Sequence, residues 1–154
     1  MVKLKLVVDT NIIIDFLNRR EPFFEDARKL LLCGRVGEFD LMITSSQVTD
    51  LIYILSDGGK SSRIPSAQES LRGLRTFMRV LTIDETDIDT MLVSPWSDPE
   101  DFLIYNAALR AKSDAVVTRN KVDFHADTIP VFDCAELFDW ISKELNIDYA
   151  EMEF

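Results

Sequence analysis

Six side chains able to offer a hard oxygen ligand sit just beyond or just ahead of short apolar runs. Asp9 follows Leu4 to Val8, Asp50 comes soon after Leu41-Met42-Ile43-Thr44, Asp98 and Asp101 precede Ala115-Val116-Val117-Thr118, and Asn120 and Asp123 follow it. Carboxylates that a fold crowds together repel one another, so such a group signals a bound cation. Oxygen donors with no histidine or cysteine among them select Mg²⁺ or Mn²⁺ over zinc. Asp50 interrupts the apolar helical face Val48, Leu51, Ile52 and Leu55. It therefore reads as a buried aspartate, which is costly without a mate. Asp98 is a natural N-cap for a helix starting at Pro99, with Asp101 one turn further on. Thr10, Asn11 and Thr118 carry hydroxyl or amide groups suited to holding carboxylates or a water in place.

These positions acquire meaning only from the elements that carry them. Leu4 to Val8 reads as a strand running directly into an apolar helix through Leu17, and Phe23 to Arg35 as a second helix. Leu41 to Thr44 is a second strand, with Ser45 and Ser46 able to cap a helix reaching about Ser56. Residues 58 to 66 form a Gly, Ser, Lys and Arg-rich loop. A basic helix over Ala67 to Arg79 leads to a third strand, Val80 to Ile83, and then to an acidic helix from Glu85 to Val93. The Asp98 helix reaches about Ala111, and Ala115 to Thr118 is the fourth strand. Ile129 to Phe132 is a fifth strand placed at an edge by its proline, followed by a helix from Ala135 to Leu145. Strands alternating with helices predict an α/β fold: three layers, α/β/α, around a parallel sheet of about five strands. In such sheets the functional crevice lies beyond the carboxyl ends of the strands, which is where the six oxygen-bearing residues fall. Asp9-Thr10-Asn11 stands where a dinucleotide-binding turn would need glycines, so NAD or ATP is not bound in the usual way.

A chain of 154 residues, 47% hydrophobic, suits one domain, expected over residues 1–147 with an acidic tail over 148–154. No apolar run approaches the roughly 20 residues of a membrane span, and the start resembles no secretory signal; a soluble, cytoplasmic protein is expected. Cys33 and Cys134 lack metal or disulfide spacing and read as core-filling residues. The net charge of −10 opposes nucleic-acid binding, but its distribution is uneven. Between Lys60 and Arg79 five basic residues face only Glu69. Lys60, Arg63, Arg72 and Arg75 are thus candidate RNA contacts, with a solvated helix face as the plainer explanation. Trp96 reads as a loop anchor and His125 as a surface residue.

Read together, the segments resemble the PIN-domain family. Val7-Val8-Asp9-Thr10-Asn11 is similar to its opening motif, and Thr44 to Asp50 to its second. Asp98-Pro99-Glu100-Asp101 with the alanine-containing helix behind it is similar to the third, and Ala115-Val116-Val117-Thr118-Arg119-Asn120 to the closing one. The resemblance implies a metal-dependent endoribonuclease in which Asp9, Asp50, Asp98 and Asp101 hold Mg²⁺ or Mn²⁺ and act on RNA. It also implies the toxin of a toxin-antitoxin pair, with a small antitoxin as partner and a homodimer as a frequent state. Asn120 departs from the pattern, standing where many members have an aspartate; its carbonyl can ligate but adds no charge, and Asp123 substitutes only if the turn returns it to the site. The alternative is a PIN-fold module that binds RNA or protein without cutting. A phosphatase using Asp9 as nucleophile is disfavoured because Asn11 occupies the second aspartate's place.

Overall fold

The computed structural model describes residues 3–149. Its centre is a parallel five-stranded sheet in the order β3-β2-β1-β4-β5, made of β1 (Leu4–Val8), β2 (Phe39–Thr44), β3 (Met78–Leu81), β4 (Ala115–Val117) and β5 (Val131–Phe132). The strand order reverses between β1 and β4. Among the described residues seven α-helices flank the sheet: α1 (Thr10–Leu17), α2 (Phe24–Arg35), α3 (Ser45–Leu55), α4 (Ile64–Arg75), α5 (Glu85–Leu92), α6 (Pro99–Arg110) and α7 (Cys134–Leu145).

Strand alternation sends side chains to opposite faces. Leu6, Val8, Leu41, Ile43, Ala115 and Val117 join the larger core with residues of α1, α2, α3, α4 and α7. Val7, Met42 and Val116 join the smaller one, with Ile104, Tyr105 and Ala108 of α6. The expected three-layer α/β/α fold is the one observed. Both cysteines are buried and free. Trp96 anchors its loop among Phe102, Tyr105 and Phe124, with the exposed His125 against its edge.

Three local expectations shift. The basic helix starts at Ile64, since Pro65 fits the first turn of a helix, and it ends at Arg75. The third strand accordingly begins at Met78, where pairing with Leu41 fixes its register. Tertiary pairing outweighs the local pattern here. The cap of α3 is Thr44 rather than either serine, with Gln47 Oε1 accepting the Thr44 N–H at 2.8 Å. At the C-terminal end, Tyr149 is buried, packing edge-on against Phe39 and Phe138; the remainder of the expected acidic tail, 150–154, lies outside the described residues.

Helix α2 approaches β2 so closely that a Cβ on Gly34 would stand 2.3 Å from Leu41 Cδ1. Leu41 is fully buried and has little room to yield. Gly34→Ala should therefore destabilise the protein by about 1–3 kcal/mol in urea unfolding, although alanine favours helix by about 1 kcal/mol. A neutral or stabilising change would show that α2 can back away from the sheet.

Candidate metal centre

Asp9 sits at the point where the strand order reverses. Its N–H donates to Val117 O at 2.9 Å, which ties it to β4 as its side chain passes the sheet edge. Its Oδ1 accepts the Thr10 N–H at 2.7 Å, capping α1. Its Oδ2 accepts the Thr118 hydroxyl at 2.6 Å and the Asn11 amide at 3.3 Å. Thr10, Asn11 and Thr118 thus hold the carboxylate by backbone, amide and hydroxyl respectively. Gln47 contributes what the sequence reading missed. Its amide nitrogen donates to Val8 O at 2.9 Å and to Thr10 Oγ1 at 3.2 Å, stitching the start of α3 to the end of β1 from a fully buried position. A glutamine three residues after a capping threonine was the available signal.

Helix α6 delivers three more acids. Asp98 caps it, with Oδ1 accepting the N–H groups of Glu100 at 3.0 Å and Asp101 at 3.1 Å. Asp101 is 6% exposed, and Glu100 turns to the same side. Asp9, Asp50, Glu100 and Asp101 line one cavity of about 350 Å³. Asp50 is on its wall but exposed, which corrects the expectation of a buried aspartate. The apolar face of α3 turns toward the core through Leu51, and Asp50 faces the crevice from beside it. Glu100 was not singled out from the sequence, where it reads as an ordinary first-turn acid.

Beyond Thr118 the chain makes a 3-10 turn over Lys121–Asp123. That turn brings Asp123 back, so that Asp98, Asp101 and Asp123 each offer an oxygen within 4.8 Å of the others. Asn120 is used in building this arrangement. Its N–H donates to Thr118 Oγ1 at 3.0 Å and its side-chain amide to Asp123 Oδ2 at 2.7 Å. Asp101 therefore belongs to two groups at once, the cavity with Asp9, Asp50 and Glu100, and the triad with Asp98 and Asp123. Arg119, next to Thr118, forms a two-point ion pair with the fully buried Asp15 of α1, at 2.6 and 3.1 Å, and its guanidinium lies 3.9 Å over the Phe23 ring. This clamp fixes the closing loop to α1.

The basic candidates lie elsewhere. Lys60 and Arg63 both reach Asp57, Arg72 pairs with Glu69, and Arg75 donates to Met78 O. None of the four is among the residues lining the acidic cavity.

The electrostatics follow from burial and crowding. Asp101 is pushed up to about 8, by burial first and then by the carboxylates of Asp9, Asp98, Asp123 and Glu100. Glu100 is pushed up to about 7 by burial and by Asp50 and Asp9. Asp9 is raised as well, by burial, against the opposing hydrogen bonds from Thr118 and Thr10. Asp101 Oδ2 is also buried with no hydrogen-bond partner among the described residues. A buried acceptor without a donor is costly. A divalent cation would satisfy it and neutralise its neighbours, so the donor set fits such an ion.

The sign of the pH dependence is fixed by these shifts. A carboxyl group whose pKa is higher folded than unfolded keeps its proton in the folded state over the interval between the two values. Stability of the metal-free protein should therefore fall as pH rises from about 4 to about 8. Thermal unfolding in a chelator should show this decline, and Asp101→Asn should flatten it and raise stability at the alkaline end. A decline of equal slope in the variant would remove Asp101 as its source.

The PIN-domain family model matches residues 5–122. No curated protein gives a significant match. Among solved structures, the chain is similar to a toxin-antitoxin complex from Klebsiella pneumoniae, with TM-score 0.60 and 18% identity over 82% of this chain and 95% of that one. It is also similar to VapBC2 from Rickettsia felis bound to a DNA fragment from their promoter, with TM-score 0.59 and 16% identity over 83% and 97%. DNA-bound VapBC from Salmonella typhimurium follows at 0.58 and 23% identity over 85% and 98%. At these identities the structural likeness speaks for the fold, and the sheet order and the match over residues 5–122 agree with it. The chain belongs to the PIN-domain family.

Proposed function

We propose that this PIN-domain protein is a Mg²⁺- or Mn²⁺-dependent endoribonuclease and the toxin of a toxin-antitoxin pair. The observation that carries the reading is Asp101, a buried carboxylate with an unpartnered oxygen that two groups of acids share. Asp9, Asp50, Glu100 and Asp101 would hold a cation in the cavity, and Asp98 and Asp123 would hold one at the triad through the shared Asp101. A cation bound there supplies a positive charge for the phosphoryl oxygens and acidifies the attacking water. The residues of the chain do the rest. Thr118, Asn11 and the Thr10 N–H keep Asp9 in one orientation, and Asn120 keeps Asp123 in one orientation.

The toxin assignment rests on family and fold. The similar structures include a toxin-antitoxin complex and two VapBC complexes, and a protein of net charge −10 suits a basic partner segment whose Arg or Lys reaches the carboxylates. Among the described residues no helix is long and apolar enough to cross a membrane, in keeping with action in the cytoplasm, by a nuclease domain spanning residues 1–147.

Asp9→Asn should leave the circular dichroism spectrum unchanged, weaken Mn²⁺ binding in calorimetry, and reduce cleavage of a mixed RNA pool by at least about 100-fold. Cleavage at the wild-type rate would sink the nuclease assignment to this site. In cells, expression should arrest growth, and co-expression of a small neighbouring reading frame should relieve the arrest. Unimpaired growth at full expression would count against the toxin role while leaving the nuclease reading intact.

A further inference from the structure

The lining of the acidic cavity also includes one cation and one aromatic ring. Arg20 lines the cavity together with Asp9, Asp50, Glu100 and Asp101. Among the described residues, however, the Arg20 side chain takes part in no ion pair or hydrogen bond with any of them. Its backbone is nevertheless fixed. Arg19 adopts φ +49°, turning the chain at the end of α1, and Arg20 then donates its N–H to Asp15 O at 3.0 Å and accepts from Phe23 N–H at 3.0 Å. Arg20 is thus an exposed residue of the cavity lining whose guanidinium keeps its planar set of donors unspent.

Tyr53 is the second feature. It lies one helical turn after Asp50 on α3, on the same face, and is 62% exposed although it lines the cavity. The turn after α3 runs past its ring: Gly58 and Gly59 have φ +84° and +86°, and a Cβ on Gly59 would come 3.6 Å from Tyr53 Cδ2. Beyond that turn stand Lys60 and Arg63, two cations sharing the single carboxylate of Asp57. Beside the acids the cavity lining therefore presents a guanidinium and an aromatic ring, and the turn next to that ring leads to two cations. A planar donor fork suits phosphate, and an exposed ring suits an unstacked base. The repeat of phosphate and base along a single strand matches this pairing of cation and ring. A duplex, whose bases are stacked inside, does not offer its ring faces.

We propose that Arg20 and Tyr53 form the substrate-binding wall of the site, Arg20 holding a backbone phosphate beside the one being cleaved and Tyr53 stacking on a base of single-stranded RNA, whose strand continues toward Lys60 and Arg63. This rests on the nuclease reading for its choice of ligand, but its test does not depend on cleavage. The probe is a fluorescently labelled single-stranded RNA of about 10 nucleotides, matched to typical single-strand sites, with Ca²⁺ filling the oxygen-ligand site. Arg20→Ala and Tyr53→Ala should each weaken binding in fluorescence anisotropy about tenfold. Tyr53→Phe should bind as wild type, Arg20→Lys should fall between, and Arg20→Ala should lower the salt dependence by about one counterion. Unchanged thermal midpoints will show that these exposed positions do not act through folding. If the wild type binds and cleaves while both alanine variants bind equally well, the wall is wrong and the nuclease reading stands; Tyr53 would then belong to a protein contact. If the wild type binds, the variants bind weakly, and Mn²⁺ supports no cleavage, the wall stands and the nuclease reading falls. Absence of RNA binding by the wild type overturns both.

Discussion

The repulsion among carboxylates at the carboxyl edge of the sheet is the constraint around which the molecule is arranged. Asp9 and Asp101 are each 6% exposed, and Asp50, Asp98, Glu100 and Asp123 surround them. Burial makes each charge costly and proximity raises the cost further. The protein answers unevenly. Asp9 receives a hydroxyl, an amide and a backbone N–H, whereas Asp101 has an oxygen that nothing donates to. One carboxylate is thus positioned by the chain, and its neighbour keeps an acceptor that a cation would satisfy.

Holding such a group together requires scaffolding that is itself strongly bound. Helix α6, which carries Asp98, Glu100 and Asp101, is braced from α5: the buried Asp87 accepts from Asn106 and Arg110, and Arg110 holds its carboxyl below the usual carboxylate range. From the same helix the Tyr105 hydroxyl accepts the N–H groups of Asp127, Thr128 and Ile129, pinning the loop beyond the closing turn. On the other side, Arg119 and Asp15 lock that turn to α1, and Gln47 locks α3 to β1. Asp15 is fully buried and Arg119 half-buried, so the pair adds little net stability over an apolar one, but removing Arg119 would leave a buried carboxylate without its cation. Its value lies in fixing position. These braces hold the carboxylates of Asp98, Asp101 and Asp123 close enough to share a ligand.

Net charge is a poor guide to which charges face the acidic cavity of this protein. Most of the acidic excess is spread over surfaces and helix starts, and part of it is the site itself. The cation in the cavity lining, Arg20, is outside the basic segment that composition singles out, and Arg72 and Arg75 of that segment are occupied by Glu69 and Met78 O. What matters is which charge lacks a partner beside the acidic cavity.

The order of strands and helices was legible from the sequence, because apolar period and cap residues are local signals: Asp98-Pro99 opens α6, and Asp9 ends β1 and caps α1. Residues after strands one and four could likewise be assigned to one edge, since parallel topology puts strand ends together. Distance and exposure were not legible. Asp50 faces the crevice instead of the core, Glu100 shares its cavity, and β3 begins at Met78 because Leu41 pairs with it. Above all, the sequence showed Asn120 as an uncharged ligand in an aspartate's place. The three-dimensional turn converts it into the donor that returns Asp123 to Asp98 and Asp101. The types of residue, and hence the oxygen chemistry, are properties of the sequence by itself; which oxygens meet is decided by a few side-chain hydrogen bonds between segments far apart in the chain, and only the folded structure brings those together.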